Sequence, residues 1–225
     1  MKKLLTIAAA LVVLVVGGSW FYVKVIDKPA AKLTIDSTSG ATTTVDPSAA
    51  PDDGSTDGTW KVSNASIVQY RVKETLFGAS NDATGSTNAV TGSMAIAGTS
   101  VNSAAFTVDM TSVASDKSQR DGQFQNRIMN TSSFPTASFK LTSPITLSSV
   151  AMNTQITATA TGNLTLHGVT RPVTFSVVAK RVTGQIKANG DIPIHFSDYS
   201  INNPSGGPAQ VGDDGTLEFT LVFTR

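Results

Sequence analysis

Nucleophiles, general bases and metal ligands are usually drawn from cysteine, histidine, serine and carboxylates, and this chain of 225 residues has two histidines and no cysteine. His167 stands beside Gly168 at the bend of GNLTLHGVTRPVTF, between the apolar positions Leu166 and Val173, where it reads as a solvated turn residue. General-base work needs an oriented partner, and nothing in the neighbouring sequence marks one. His195 lies between Ile194 and Phe196, so on an alternating strand it points away from the apolar face. Two histidines without thiolates hold zinc only with carboxylate help, and no ligand spacing suggests it.

Other chemistry-bearing patterns are equally sparse. The Gly-x-Ser-x-Gly elbow is missing, since Gly78-Ala79-Ser80-Asn81-Asp82 lacks its final glycine, and there is neither a Walker loop nor a dinucleotide fingerprint. Asp52-Asp53-Gly54 and Asp213-Asp214-Gly215 read as turns, because neither continues into the ligand ladder of a calcium loop. Asn64-Ala65-Ser66, Asn130-Thr131-Ser132 and Asn163-Leu164-Thr165 match a glycosylation pattern that short tracts meet by chance. A net charge of +1 lacks the basic stripe that phosphate neutralisation needs, which argues against a nucleic-acid partner. The expectation is therefore a chain without catalytic residues, metal or cofactor.

The elements that position these residues are strands. From Trp60 to Arg225 the dominant period is two, clearest where Leu217, Phe219, Leu221 and Phe223 alternate with Glu218, Thr220, Val222 and Thr224. It recurs at Val68, Tyr70 and Val72, at Phe106, Val108 and Met110, at Val173, Phe175 and Val177, and at Ile192, Ile194 and Phe196. Turns are expected at Asn81-Asp82, Gly98, Val182-Thr183-Gly184 and Asp213-Asp214-Gly215. Ser115 to Asn130 dissents, because Phe124, Ile128 and Met129 fall near one helical face; this predicts a short helix that Gly122 weakens and Pro135 follows. The fold class is all-β and antiparallel, as a barrel or a sandwich. The candidate inward set Ile156, Ala158 and Ala160, unusually small as a set, and the long run Gly184 to Ser197 favour a barrel with room inside.

The N-terminus adds a different kind of element. Leu4 to Val23 carries no charge, follows Lys2 and Lys3, and ends in Trp20, Phe21 and Tyr22, which is the length and flanking pattern of a membrane span. Small residues at Val16-Gly17-Gly18 leave a cleaved secretory signal as the alternative. Residues 1–26 are thus read as anchor or signal, 27–57 as a disordered linker rich in small and polar residues, and 58–225 as the folded domain. With the anchor retained, the domain is a single-pass, extracytoplasmic membrane protein; with it cut, the domain is secreted or periplasmic.

Four stretches of the folded region resemble the YceI-like, lipid/polyisoprenoid-binding proteins. They are Gly58-Thr59-Trp60 with Ala65 to Lys73; Arg120-Asp121 with NTSSFPTASF from Asn130 to Phe139; GNLTLHGVTRPV from Gly162 to Val173; and, more loosely, DIPIHFSDYS from Asp191 to Ser200. The resemblance implies an extended lipocalin-like antiparallel β-barrel with a helix nearby, enclosing an apolar tunnel for an isoprenoid chain, and no enzyme activity. Two departures are Glu74, where many members carry a histidine, and Gly122 to Met129, which differs from the usual leucine-containing helix. The wall positions expected to meet a ligand are Val68, Tyr70, Val72, Met94, Ile96, Phe106, Val108, Met110, Phe139, Leu141 and Phe175. Partners are then a long-chain lipid and the membrane, with the oligomeric state left open. A membrane-anchored β-sandwich for adhesion or assembly shares the alternation, and a hydrolase needs a polar pocket oriented by His167 or His195.

Overall fold

The computed structural model describes residues 29–38, 55–76, 78–206 and 209–225. The apolar run at residues 4–23 lies outside the described residues. Among the described residues no helix is long and apolar enough to cross a membrane.

The two-residue period resolves into β1 (Gly58–Val62), β2 (Ile67–Leu76), β3 (Ala79–Thr87), β4 (Val90–Ala97) and β5 (Ser100–Asp109), followed after a helical segment by β6 (Thr136–Leu141) and β7 (Ile145–Thr146). The C-terminal wall is taller, with β8 (Gln155–Leu166), β9 (Val169–Val182), β10 (Gln185–His195) and β11 (Ala209–Thr224). They form one sheet in the order β1-β4-β5-β6-β8-β9-β10-β11-β2-β3, with β7 on β5. β1 closes it, pairing with β4 along one edge and with β11 along the other through Lys61↔Thr224 and Val62↔Phe223. Eight strands thus make the ring, while β2 and β3 continue the wall beside the first part of β11. A ring of that size can hold one small ligand. A sandwich needs two sheets, and the described strands make one.

The helical segment is α1 (Ser118–Gln123) followed by a π turn, Phe124–Ile128. Met129 N–H donates to the Phe124 carbonyl at 2.8 Å, so one wide turn puts both side chains on the same side, where both are buried. Ile128 packs against the same core.

Two expected turns sit elsewhere. Asn81 and Asp82 pair with Glu74 and Lys73 inside β3, and the chain bends at Gly78 instead. Asp213-Asp214-Gly215 is an irregularity within β11, where the register against β2 shifts between Val211 and Gly215. Polar residues on a strand carry the same composition as a turn, whether outward like Asp82 and Asp214 or buried beside Glu74 like Asn81, so type alone misplaces both.

The β8–β9 bend does fall at His167-Gly168, with φ of 50° and 75°, the left-handed pair that a two-residue primed turn requires. His167 is half-buried there: its ring meets Phe134 edge-on at 4.5 Å between centroids, and its Nδ1 lies 3.1 Å from the Tyr199 carbonyl. A Cβ on Gly168 would stand 2.5 Å from a Phe134 ring carbon. Gly168→Ala combines that collision with a strained φ, so chemical denaturation should show a loss of about 2 kcal/mol. A loss below about 0.5 kcal/mol would show that the Phe134 ring swings aside freely.

Residues 29–38 differ from the free tether expected there: they lie as a strap across the outer face of β2 and β11. Leu33 N–H donates to Glu218 Oε2 at 3.2 Å, Gln69 Nε2 donates to the Ala31 carbonyl at 3.1 Å, and Thr220 Oγ1 donates to the Thr34 carbonyl at 2.8 Å. Lys32 pairs with Asp191 at 2.6 Å, a hydrogen bond that raises the Lys32 pKa. Composition predicts disorder where no apolar surface can be buried; here unpaired backbone groups find side-chain partners on the wall and Leu33 is buried.

Candidate functional site

Inward-facing side chains of the ring line a cavity of about 850 Å³. That lies within the range of small-molecule pockets, roughly 300–1,000 Å³. All the expected wall positions are on it: Val68, Tyr70 and Val72 from β2, Met94 and Ile96 from β4, Phe106 and Val108 from β5 with Met110 just beyond, Phe139 and Leu141 from β6, and Phe175 from β9. The facing wall, not among those positions, is supplied by Ile156, Ala158 and Ala160 of β8, Ile192 and Ile194 of β10, and Leu217, Phe219 and Leu221 of β11. The same alternation marked those strands, so the signal was present.

Why the middle stays hollow is explained by where the aromatic rings rest. The Tyr70 ring covers Gly85 on the neighbouring strand, and a Cβ there would meet it at 2.5 Å; the Phe219 ring covers Gly190, with 2.7 Å. Phe106 covers Gly92 and Phe139 covers Gly162 in the same manner. Each ring takes the space of an absent side chain on the wall instead of projecting to the axis. The rings also touch in sequence around the lumen: Phe219 and Phe175 at 5.8 Å, Phe175 and Phe139 at 5.4 Å, Phe139 and Phe106 at 6.4 Å, and Phe106 and Phe223 at 5.7 Å between centroids. This belt starts and ends on β11 and so nearly encircles the cavity.

Charged side chains stand at both ends. At the helix end, Arg120 pairs with Asp116 and has a guanidinium nitrogen 3.5 Å from Glu74 Oε1. The Glu74 that departs from the family pattern therefore joins the helix to the β2 rim. Below it Tyr70 stacks on Phe124, with ring centroids 5.1 Å apart and planes 9° from parallel. Burial pushes the Tyr70 phenol up to about 12. Because the unfolded phenol ionises near 10, the unfolded state gains from ionisation first: stability is intact below pH 10 and falls as pH rises towards 12. A denaturation series from pH 9 to 12 on Tyr70→Phe should lack the part of that fall belonging to this ring; an unchanged fall would assign it to other groups.

At the opposite end Arg181 continues the inward set Phe175, Val177 and Ala179, and donates to the Ser55 carbonyl at 3.3 Å. It was missed as a site residue, although its place in the alternation puts it inside. Neither histidine lines the cavity. His195 is exposed, with Nδ1 2.6 Å from Asp214 Oδ1, and that hydrogen bond raises its pKa. Among the described residues no group of three or more His, Asp or Glu is placed to hold a metal ion.

The YceI-like domain model matches residues 60–223. Among solved structures, BcnA of Burkholderia cenocepacia is 19% identical with a TM-score of 0.55, covering 70% of this chain and 95% of its own. A polyisoprenoid-binding domain from Saccharophagus degradans, implicated in plant cell wall breakdown, is 16% identical with a TM-score of 0.57, covering 74% and 97%. The Campylobacter jejuni YceI protein is 16% identical with a TM-score of 0.52, covering 63% and 84%. At these identities the likeness is one of fold. No curated protein gives a significant match. The match runs from β1 to β11, the two strands whose pairing closes the barrel, and on that ground the chain belongs to the YceI-like family.

Proposed function

We propose that the barrel binds a long apolar lipid, a polyisoprenoid chain above all, and serves as its carrier or store at the outer face of a membrane without catalysing a reaction. The hollow lined by hydrocarbon and aromatic side chains carries this reading. The Saccharophagus degradans domain of the same fold is itself a polyisoprenoid binder. Each CH₂ removed from water contributes about 0.8 kcal/mol, so one five-carbon unit gains roughly 3 to 4 kcal/mol. Against a bilayer that gain nearly vanishes, because lipid tails are as apolar as the wall. Selectivity must then come from shape, which the aromatic belt supplies, and from the polar groups at the ends. Anchoring by residues 4–23 would raise the effective concentration of the barrel at its lipid source. If that segment is cut, the same carrier works as a secreted or periplasmic protein.

The test is gentle purification of the domain, organic extraction and mass spectrometry, followed by uptake of an added polyprenol. The expected result is a co-purified long-chain lipid or stoichiometric uptake. A well-folded domain that yields no lipid and takes up no polyprenol would overturn the reading.

A further inference from the structure

Alternation makes Gln69, Glu218 and Thr220 outward-facing, yet they are 2%, 1% and 0% exposed. Residues 29–38 contribute to that cover, and the course they take over the wall has a direction. Ala30 N–H donates to Thr84 Oγ1 at 2.9 Å and the Ala30 carbonyl accepts from Arg71 Nη2 at 2.9 Å, whereas four residues later the Thr34 carbonyl accepts from Thr220. Arg71 is level with Thr84 and Thr216; Thr220 is level with Ile67. Followed back from Thr34 to Ala30, the strap therefore climbs β2 towards Leu76, the end of the barrel that carries Glu74, Arg120 and α1. From Arg71 to the end of β2 at Leu76 is five residues, about 17 Å of strand. Between Val23, the last residue of the apolar run, and Pro29 lie five residues, which reach at most about 17 Å when extended.

We propose that the docked strap presents the helix end of the barrel to the bilayer, so that a lipid chain passes between membrane and cavity at that end, where the half-buried Leu76, Ile128 and Val211 line the cavity. The inference rests on the reading of residues 4–23 as a retained anchor and of the cavity as a lipid site. A barrel on thirty free residues has no fixed orientation; one clipped after five residues has a defined near end and far end. The occupant of the near end is the lipid surface, because the strap leaves less chain than is needed to turn the barrel over.

The chain has no cysteine, so single labels go where they are wanted. The full-length protein is reconstituted into phosphatidylcholine vesicles containing a headgroup spin-labelled lipid, with a fluorophore at Asn126→Cys beside the helix or at Thr183→Cys in the β9–β10 turn at the opposite end. Quenching at least fivefold stronger at position 126 is expected. In a strap-released variant carrying Lys32→Asp and Leu33→Asp, or Gly-Ser in place of residues 30–34, the ratio should fall below twofold. Equal quenching in the unaltered chain, or a ratio that survives strap release, overturns the proposal. Failure of the chain to float with vesicles refutes the anchor and the orientation with it. Loss of lipid from the extract refutes the cavity reading, and with it the portal, while the orientation is still read from the labels.

Discussion

Ala158→Trp should empty the barrel of lipid without unfolding it. Ala158 lines the cavity from β8, opposite Val177 on β9, and is only half-buried, so open lumen lies in front of its methyl group. An indole there takes the volume a ligand needs. In a filled core the same change forces rotamers and backbone aside and costs about 1–3 kcal/mol. In a hollow it meets little resistance. The expected outcome is at least a tenfold fall in co-purified lipid or polyprenol affinity, about 1.4 kcal/mol, with the melting temperature within a few degrees of the parent. Undiminished lipid would place the ligand elsewhere, and a strongly destabilised protein would mean that the lumen is already occupied by side chains.

Glu218→Ala should give the largest loss of stability. Its carboxylate is 1% exposed and accepts from Arg71 Nε at 2.6 Å, from Gln69 Nε2 at 2.8 Å and from the Leu33 backbone N–H. Truncation removes the acceptor these three donors share, leaving Arg71 with Asp82 and the Ala30 carbonyl and Gln69 with the Ala31 carbonyl. Hydrogen bonds to a charged group contribute about 1.5–3 kcal/mol, so losing a carboxylate that three donors share costs about 3 kcal/mol. For a domain of this size that is a drop of roughly 10 °C in melting temperature. Asp214→Ala, on the exposed side of β11, should stay within about 0.5 kcal/mol of the parent. If Glu218→Ala came equally close, the cluster would have no energetic role.

How far the sequence reaches is clearest on β11. Leu217, Phe219, Leu221 and Phe223 announce a strand with one apolar face, and the structure puts all four on the lumen. The same rule placed every expected wall residue, because period two is a local property of the chain. What lies on the other face was not legible. Glu218 and Thr220 look like ordinary solvent-facing residues, and only the fold reveals that residues 29–38 return to cover them. The glycine–ring pairs were hidden for a related reason: nothing local links Gly190 to Phe219 until β10 lies beside β11. The turns at Asn81-Asp82 and Asp213-Asp214-Gly215 failed in the opposite way, since composition suggested a break where pairing carries the strand on, to β2 at Asn81-Asp82 and to β10 at Asp214 and Gly215. Arg181 shows the remaining gap: alternation put it inside, but its charge made it look like surface.

The seam between β1 and β11 has a consequence for the order of assembly. Lys61 and Thr224 meet across roughly 160 residues of intervening chain, so this is the most non-local pairing in the ring. Such contacts form late, after nearer neighbours have zipped together. Before then the molecule is an open, curled ribbon with its oily side uncovered, and no container exists. On the proposed function, a nascent barrel retains cargo only once its final strand has been delivered, and a premature stop within the last few codons would yield a vessel that leaks.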